Sequence, residues 1–193
     1  SDDAGSRDRE TTMAEKPQGF KRINFFRGFL TTEDDWNAAE AYHVEKRKLH
    51  NRMLHGPGIV PDAWDGFRVS ARGKGELAIE IGPGYAIDGQ GNDVILTEPM
   101  VIGVNPADYE NLPTTLYVVA KYVEAYDDFI AYKQNPDYKG HRRIAERAKV
   151  DIQAREPDLR EEIELARILL SKDARRIVDP RDPADPRQNE IDR

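Results

Sequence analysis

Three histidines, His43, His50 and His55, fall within thirteen positions, the last two inside the stretch RKLHNRMLHGPGIVP (residues 47–61). Imidazoles so clustered could bind a metal ion or relay a proton near neutral pH. The spacings argue against both. His43 and His50 are seven residues apart, which on a helix is one side but about 10.5 Å of rise. Metal–nitrogen bonds run near ~2 Å, so this pair cannot share an ion. A zinc-protease pair needs a spacing of four with a glutamate between. His50 and His55 are five apart, about 140° out of register on an α-helix at roughly 100° per residue. No nucleophile stands near: Ser70 and Ser171 fall in strand-like segments without an elbow sequence. The imidazoles read as packed or surface groups, and no catalytic, cofactor-binding or metal-binding residue is assigned.

The element that positions these residues is a helix. FKRINFFRGFL (residues 20–30) is aromatic and apolar and gives way to TTEDDW. Thr31 or Thr32 can cap a helix whose first turn carries Glu33, Asp34 and Asp35 against the positive end of its dipole. The pattern predicts about six turns to His55, where Gly56 supplies the stop and Pro57 cannot continue the ladder. His55, in the last turn, can donate to free carbonyls; Asn51 and Arg52 do the same or reach back to the loop before the helix. Trp36, His43 and His50 form one stripe with Ala39 and Met53 beside it, widened by Tyr42, Leu49 and Leu54. Glu45, Lys46, Lys48 and Arg52 face away. The stripe needs a cover, either the core of this chain or a neighbouring subunit.

After Pro61 the pattern alternates. FRVSA and ELAIEI flank RGKG, and YAID and DVILT flank GQGN, predicting two hairpins. MVIGV and TLYVVAKYVEA add strands. Residues 126–147, highly charged, read as a long exposed loop. AKVDIQARE alternates again. IELARILL (residues 163–170) suits a helix or a buried strand and is taken as a strand, with RRIVD closing the sheet. The tail DPRDPADPRQNEIDR repeats Asp-Pro three times and is expected to be extended, because each proline restricts itself and the residue before it. The fold class is therefore α+β: one long N-terminal helix packed on a small antiparallel β-sandwich or barrel, with extended arms at both ends. Residues 1–19 form a disordered arm, 20–61 the aromatic entry and helix, 62–178 the β domain with its inserted loop, and 179–193 the tail.

Other motifs fail their tests. GPGYAIDGQGND does not follow G-x-G-x-x-G and no helix follows it. Asp88, Asn92 and Asp93 lack the alternating order of a calcium loop. The glycines there read as turn residues. A net charge of −7 argues against nucleic acid, and the absence of cysteine removes disulfides and thiolate metal sites. No apolar run approaches the roughly 20 residues of a membrane span, and SDDAGSRDRETT has no signal-peptide core. The expected location is the cytoplasm, at least during assembly.

NFFRGFLTTEDDWNAAEAYHVEKRKLHNRMLHGPGIV (residues 24–60), followed by IEIGPGYAIDGQGNDVIL (residues 79–96), resembles a module encoded among the baseplate and tail genes of contractile injection systems, the phage-tail-like assemblies. Phe26, Gly28, Tyr42, His43, Leu49, His50, Asn51, Arg52, Leu54, His55, Gly56, Gly58, Ile59 and Val60 match its first motif. Pro83, Gly84, Ala86, Asp88 and Gly91 match the second. IELARILL with ARRIVDPR is similar to a β segment of phage tail and fibre-attachment proteins. The chain departs from the pattern at PDAWDGF (residues 61–67), where a plain glycine turn is usual. The resemblance implies a multi-copy, non-catalytic structural part without cofactors, whose partners are baseplate, tube, sheath or fibre proteins. On this reading the helix and the end arms make the intersubunit contacts, Trp36, Tyr42, Leu49 and Met53 anchor the helix, and Phe25 and Phe26 are further interface or structural positions. Asn51, Arg52 and His55 lock the helix-to-sheet corner, with His43, His50, Gly56, Pro83, Gly84 and Asp88 as supporting positions. An alternative is a carbohydrate-binding or adhesion module with Trp64, Tyr126 and Tyr132 as its platform.

Overall fold

The computed structural model of the protein describes residues 19–73, 76–135 and 137–193. The expected N-terminal arm, Gly19 apart, lies outside the described residues. The chain divides into two compact units, Ser1–Glu45 and Lys46–Arg193. The fold is α+β, with one α-helix and three antiparallel sheets among the described residues.

The helix α1 (Glu33–His50) begins in the first unit, where the sequence places its start, and the division between the units falls within it after Glu45. The Thr32 carbonyl accepts from the Trp36 N–H at 3.3 Å. Asp35 Oδ2 accepts from the Thr32 N–H at 2.9 Å and from its hydroxyl at 3.1 Å, satisfying a donor ahead of the first turn. Acidic residues fill the first turn of α1, and Arg47, Lys48 and His50 fill the last, each favoured by the dipole. No residue of α1 is buried. Between its end and Gly56 the backbone widens into a π-helical turn, Asn51–His55, closed by the Gly56 N–H donating to the Asn51 carbonyl at 2.9 Å.

The second unit holds the strands. β1 (Gly58–Ile59) pairs with β4 (Gly84–Ile87), which pairs with β5 (Asp93–Leu96). β2 (Val69–Ala71), β3 (Ala78–Ile81) and β6 (Met100–Gly103) form a second sheet in sequence order. The third sheet takes the order β10 (Ile191–Asp192), β9 (Glu162–Leu170), β7 (Thr114–Ala131), β8 (Lys139–Gln153). The core draws on all three sheets: Phe67, Val69, Ile79, Ile81, Val94, Leu116, Val118, Ile168, Leu170 and Ile191 are among its buried members. A register shift opposite Val118 and Val119 leaves Leu165 and Ala166 of β9 both buried, as an extra residue in one strand must.

Both predicted glycine hairpins and the strand at 163–170 are present. Three expectations are corrected. Residues 126–147 are not a loop. β7 continues to Ala131 and β8 starts at Lys139, in unbroken register from Tyr117↔Gln153 to Ala131↔Lys139 apart from Asp128. Residues 124–127 and 141–144 are all exposed, so neither face of this ribbon is covered by the chain. One-sided burial, the source of the alternation that marks a strand, is missing there. Second, the tail does not run free. Asn189 donates its N–H to the Leu169 carbonyl at 3.0 Å, and Ile191 is buried beside β9, so one isoleucine draws the end of the chain back to the sheet. Third, RRIVD is not the closing strand: Val178 makes only a single bridge to Glu190, and β10 closes the sheet.

Candidate functional site

The stretch from Arg47 to Arg52 meets the loop of the β4–β5 hairpin. Asp88 shapes that loop. It is buried, and its Oδ1 accepts from the N–H groups of Gln90 (2.9 Å) and Asn92 (2.8 Å), while Oδ2 accepts from the Asn92 side-chain amide at 2.8 Å. A carboxylate engaged by three local donors holds the turn and has little left for a cation. The Gly91 N–H returns to the Asp88 carbonyl at 3.0 Å, with Gly91 at φ 85°. A Cβ on Gly91 would stand 2.9 Å from the carbonyl carbon of Lys48 and closer still to its oxygen. Glycine here is therefore required twice, by the left-handed backbone and by the approach of the helix end.

Asn51, only 6% exposed, reaches across this approach. Its side-chain amide donates to the Gly91 carbonyl and to Asp93 Oδ1, both at 2.9 Å. Arg52 donates to the Gln90 carbonyl at 2.6 Å. Both bond forward to the hairpin, not back to the loop before the helix. Asp93 is the hub. Besides Asn51 it accepts from the Tyr85 hydroxyl at 2.8 Å and pairs with Arg47 Nε at 3.0 Å, while Arg47 also lies 3.7 Å from Glu146 of β8. Burial, then the hydrogen bond to Asp93, pushes the Tyr85 hydroxyl up to about 12. Arg47 and Tyr85 were not singled out by spacing, and Asp93 was weighed only as a calcium ligand, because their meeting depends on which turn faces which strand.

The remaining expected positions fall into groups. His50 and His55 are brought together, with ring centroids 5.2 Å apart. The α-helical register that keeps them apart fails because the π turn closes over five residues. The His55 ring meets that of His50 at 57° between planes and makes no hydrogen bond to the hairpin. Among the described residues no group of three or more His, Asp or Glu could hold a metal ion. Pro83 and Gly84 seat the buried Phe67: the Pro83 carbonyl accepts from the N–H groups of Asp65 (3.1 Å) and Phe67 (3.3 Å), and a Cβ on Gly84 would collide with Phe67. Asp62, Trp64 and Phe67 take positive φ in this departing PDAWDGF loop.

Within the first unit, Phe25 lies 5.8 Å from Trp36 and 6.1 Å from Phe29, Phe26 lies 5.2 Å from Phe29, and Tyr42 meets Phe20 and His43 edge-on. Phe25, Phe26 and Trp36 remain more than half exposed. Leu49 is half-buried, and Met53 and Leu54 are exposed. Trp64 makes no ring contact with Tyr126 or Tyr132. Tyr126 instead stacks on His141 at 5.5 Å.

No protein-family model matches the chain, and no curated protein matches it. The solved structures that contain similar chains include the following three. The TssK–TssF–TssG baseplate subcomplex of the type VI secretion system matches with TM-score 0.49 and 11% identity, over 85% of this chain and 61% of that one. A crystal structure of TssK matches at 0.49 and 11%, over 82% and 42%. The type VI secretion baseplate complex matches at 0.48 and 11%, over 85% and 59%. The chain thus spans less than two-thirds of each of these three chains. No helix among the described residues is long and apolar enough to cross a membrane.

Proposed function

We propose that this chain is a non-catalytic structural component of a contractile injection system or related phage-tail-like particle, associated with the baseplate or serving as an attachment adaptor. One observation carries the reading. The motifs that resemble such modules, in residues 24–60 and 79–96, meet where the end of the first approaches the hairpin loop of the second, and Asn51, Arg52 and Asp88 are engaged in that joint. Asn51 and Arg52 of the first bond to the Gly91 and Gln90 carbonyls of the second loop, and Asp88 holds that loop in shape. Side chains whose donors and acceptors are satisfied by one another support a scaffold better than a reaction centre.

The second support is surface. No residue of α1 is buried, and Phe25, Phe26, Leu30, Trp36, Met53 and Leu54 stand exposed along the entry segment, helix and π turn. Large apolar groups exposed in series are the kind that a neighbouring subunit covers. In this reading they are intersubunit anchors, the partners are baseplate, tube, sheath or fibre proteins, and assembly takes place in the cytoplasm. The carbohydrate-platform alternative is weaker, because one face of Tyr126 is taken by His141 and Trp64 stands apart from both tyrosines. A glycan array should give no saturable signal.

The test is native purification of the tagged chain from its source cells followed by mass spectrometry. Sheath, tube and spike proteins in constant proportion to the chain are expected. Recovery of the chain without any of them overturns the proposal.

A further inference from the structure

The outer half of the β7–β8 hairpin is a two-stranded ribbon with both edges open. β9 accompanies β7 only as far as Lys121↔Glu162, and β8 is the edge of its sheet. Beyond Lys121 the ladder continues for ten more positions, to Ala131↔Lys139, with no third strand among the described residues. Two strands without a covered face are marginal in water, and open edges present unpaired backbone groups. The ribbon nevertheless displays Tyr126, Phe129 and Ile144 at 75%, 60% and 56% exposure.

Asp128 arranges part of this surface. Its φ of 57° breaks the alternation of the strand. As a result Tyr126 and Phe129, three apart, both contact the ring of His141, at 5.5 and 5.2 Å. Asp128 also pairs with Arg142 at 2.7 Å and with Arg143 at 3.3 Å, so this kink is held within the ribbon.

The two edges differ in sign. The open part of β7 carries Glu124, Asp127 and Asp128 and no cation. The open part of β8 carries Lys139, Arg142, Arg143 and Arg147 against the single acid Glu146. Pairing like edges about a two-fold axis would set charges of one sign opposite each other. Pairing the β8 edge of one copy with the β7 edge of the next opposes unlike charges and continues the antiparallel order already present. We infer that the ribbon is a self-association surface, in which the basic β8 edge of one copy adds to the acidic β7 edge of a second copy, head to tail. Such a contact is heterologous, so it closes into a ring or runs on as a filament. The inference deepens the assembly reading, on which it rests for the partner being another copy.

Charge exchange tests it on the full chain. One variant carries Glu124→Lys and Asp127→Lys. The other carries Lys139→Glu and Arg147→Glu, positions that face Ala131 and Val123 across the ribbon, so the Asp128 ion pairs stay intact. In sedimentation velocity the wild type should associate with rising concentration. Each variant alone should associate at least about tenfold more weakly, and an equimolar mixture of the two should recover association. A wild type that stays monomeric, or variants whose mixture recovers nothing, overturns the inference. Hydrogen exchange on the wild type decides the matter should a variant misfold: protection must rise with concentration at 122–131 and 139–147, and protection rising elsewhere refutes it. Because this uses one purified chain, a negative result leaves the recovery of sheath and tube proteins as a separate question.

Discussion

Replacing Gly91 by alanine should cost about 2–5 kcal/mol of stability, from two separable causes. Gly91 sits at φ 85°, where an L residue costs roughly 1–2 kcal/mol. The new Cβ would also stand 2.9 Å from the carbonyl carbon of Lys48 and closer to its oxygen. That obstacle is backbone, which cannot swing aside as a side chain does, so the end of the helix must retreat. Retreat pulls the Asn51 amide away from the Gly91 carbonyl and Asp93, and a buried amide losing its partners costs about 1–3 kcal/mol. Gly66→Ala is the control. Gly66 has φ 57° but nothing within 4 Å of its would-be Cβ, so it reports the backbone cost alone. Urea unfolding followed by fluorescence should show Gly91→Ala less stable than Gly66→Ala by about 1–3 kcal/mol. Equal destabilisation, within about 0.5 kcal/mol, would refute the idea that this glycine exists to admit the helix end.

Further outcomes follow from the same joint and its surroundings. Asn51→Leu and Asp93→Asn should each destabilise, and a double-mutant cycle between them should return a coupling of about 0.5–3 kcal/mol; additivity would mean the two do not act together. Tyr85, raised to about 12 by burial and by Asp93, contributes stability that is complete below its ordinary value of 10.0 and is lost as pH rises through 12. Melting between pH 9 and 12 should therefore fall more steeply for the wild type than for Tyr85→Phe, and parallel curves would contradict this. Glu162 is pushed up by burial but brought below its ordinary value overall by Arg155, the Asp158 N–H and Gln153. Its stabilisation is present above the ordinary carboxylate range and lost as pH falls through the lowered folded value, so Glu162→Gln should flatten the acid side of the stability curve.

Much of this fold was legible in the residues because local chemistry dictated it. Thr32 with three following acids marks a helix start, Gly56 marks its stop, and RGKG and GQGN between alternating runs mark hairpins. The ribbon was not legible. Strand periodicity records a buried face, and residues 124–127 and 141–144 have none, so their charge read as a loop. The returning tail hid for a similar reason: among prolines and aspartates a single apolar residue, Ile191, is drawn inward, with Glu190 beside it. At the joint, Asn51 and Arg52 drew attention by position, but Asp93 became the hub only through pairing across more than forty residues. The meeting of His50 and His55 hung on a π turn that α-helical spacing does not foresee.

The central claim is that the chain is a building part, and electron microscopy of particles from source cells lacking it tests that most directly. The account predicts tubes or sheaths that are absent, unanchored or missing density at the baseplate end, restored when the chain is supplied again. Complete particles of normal form and number from such cells would contradict it.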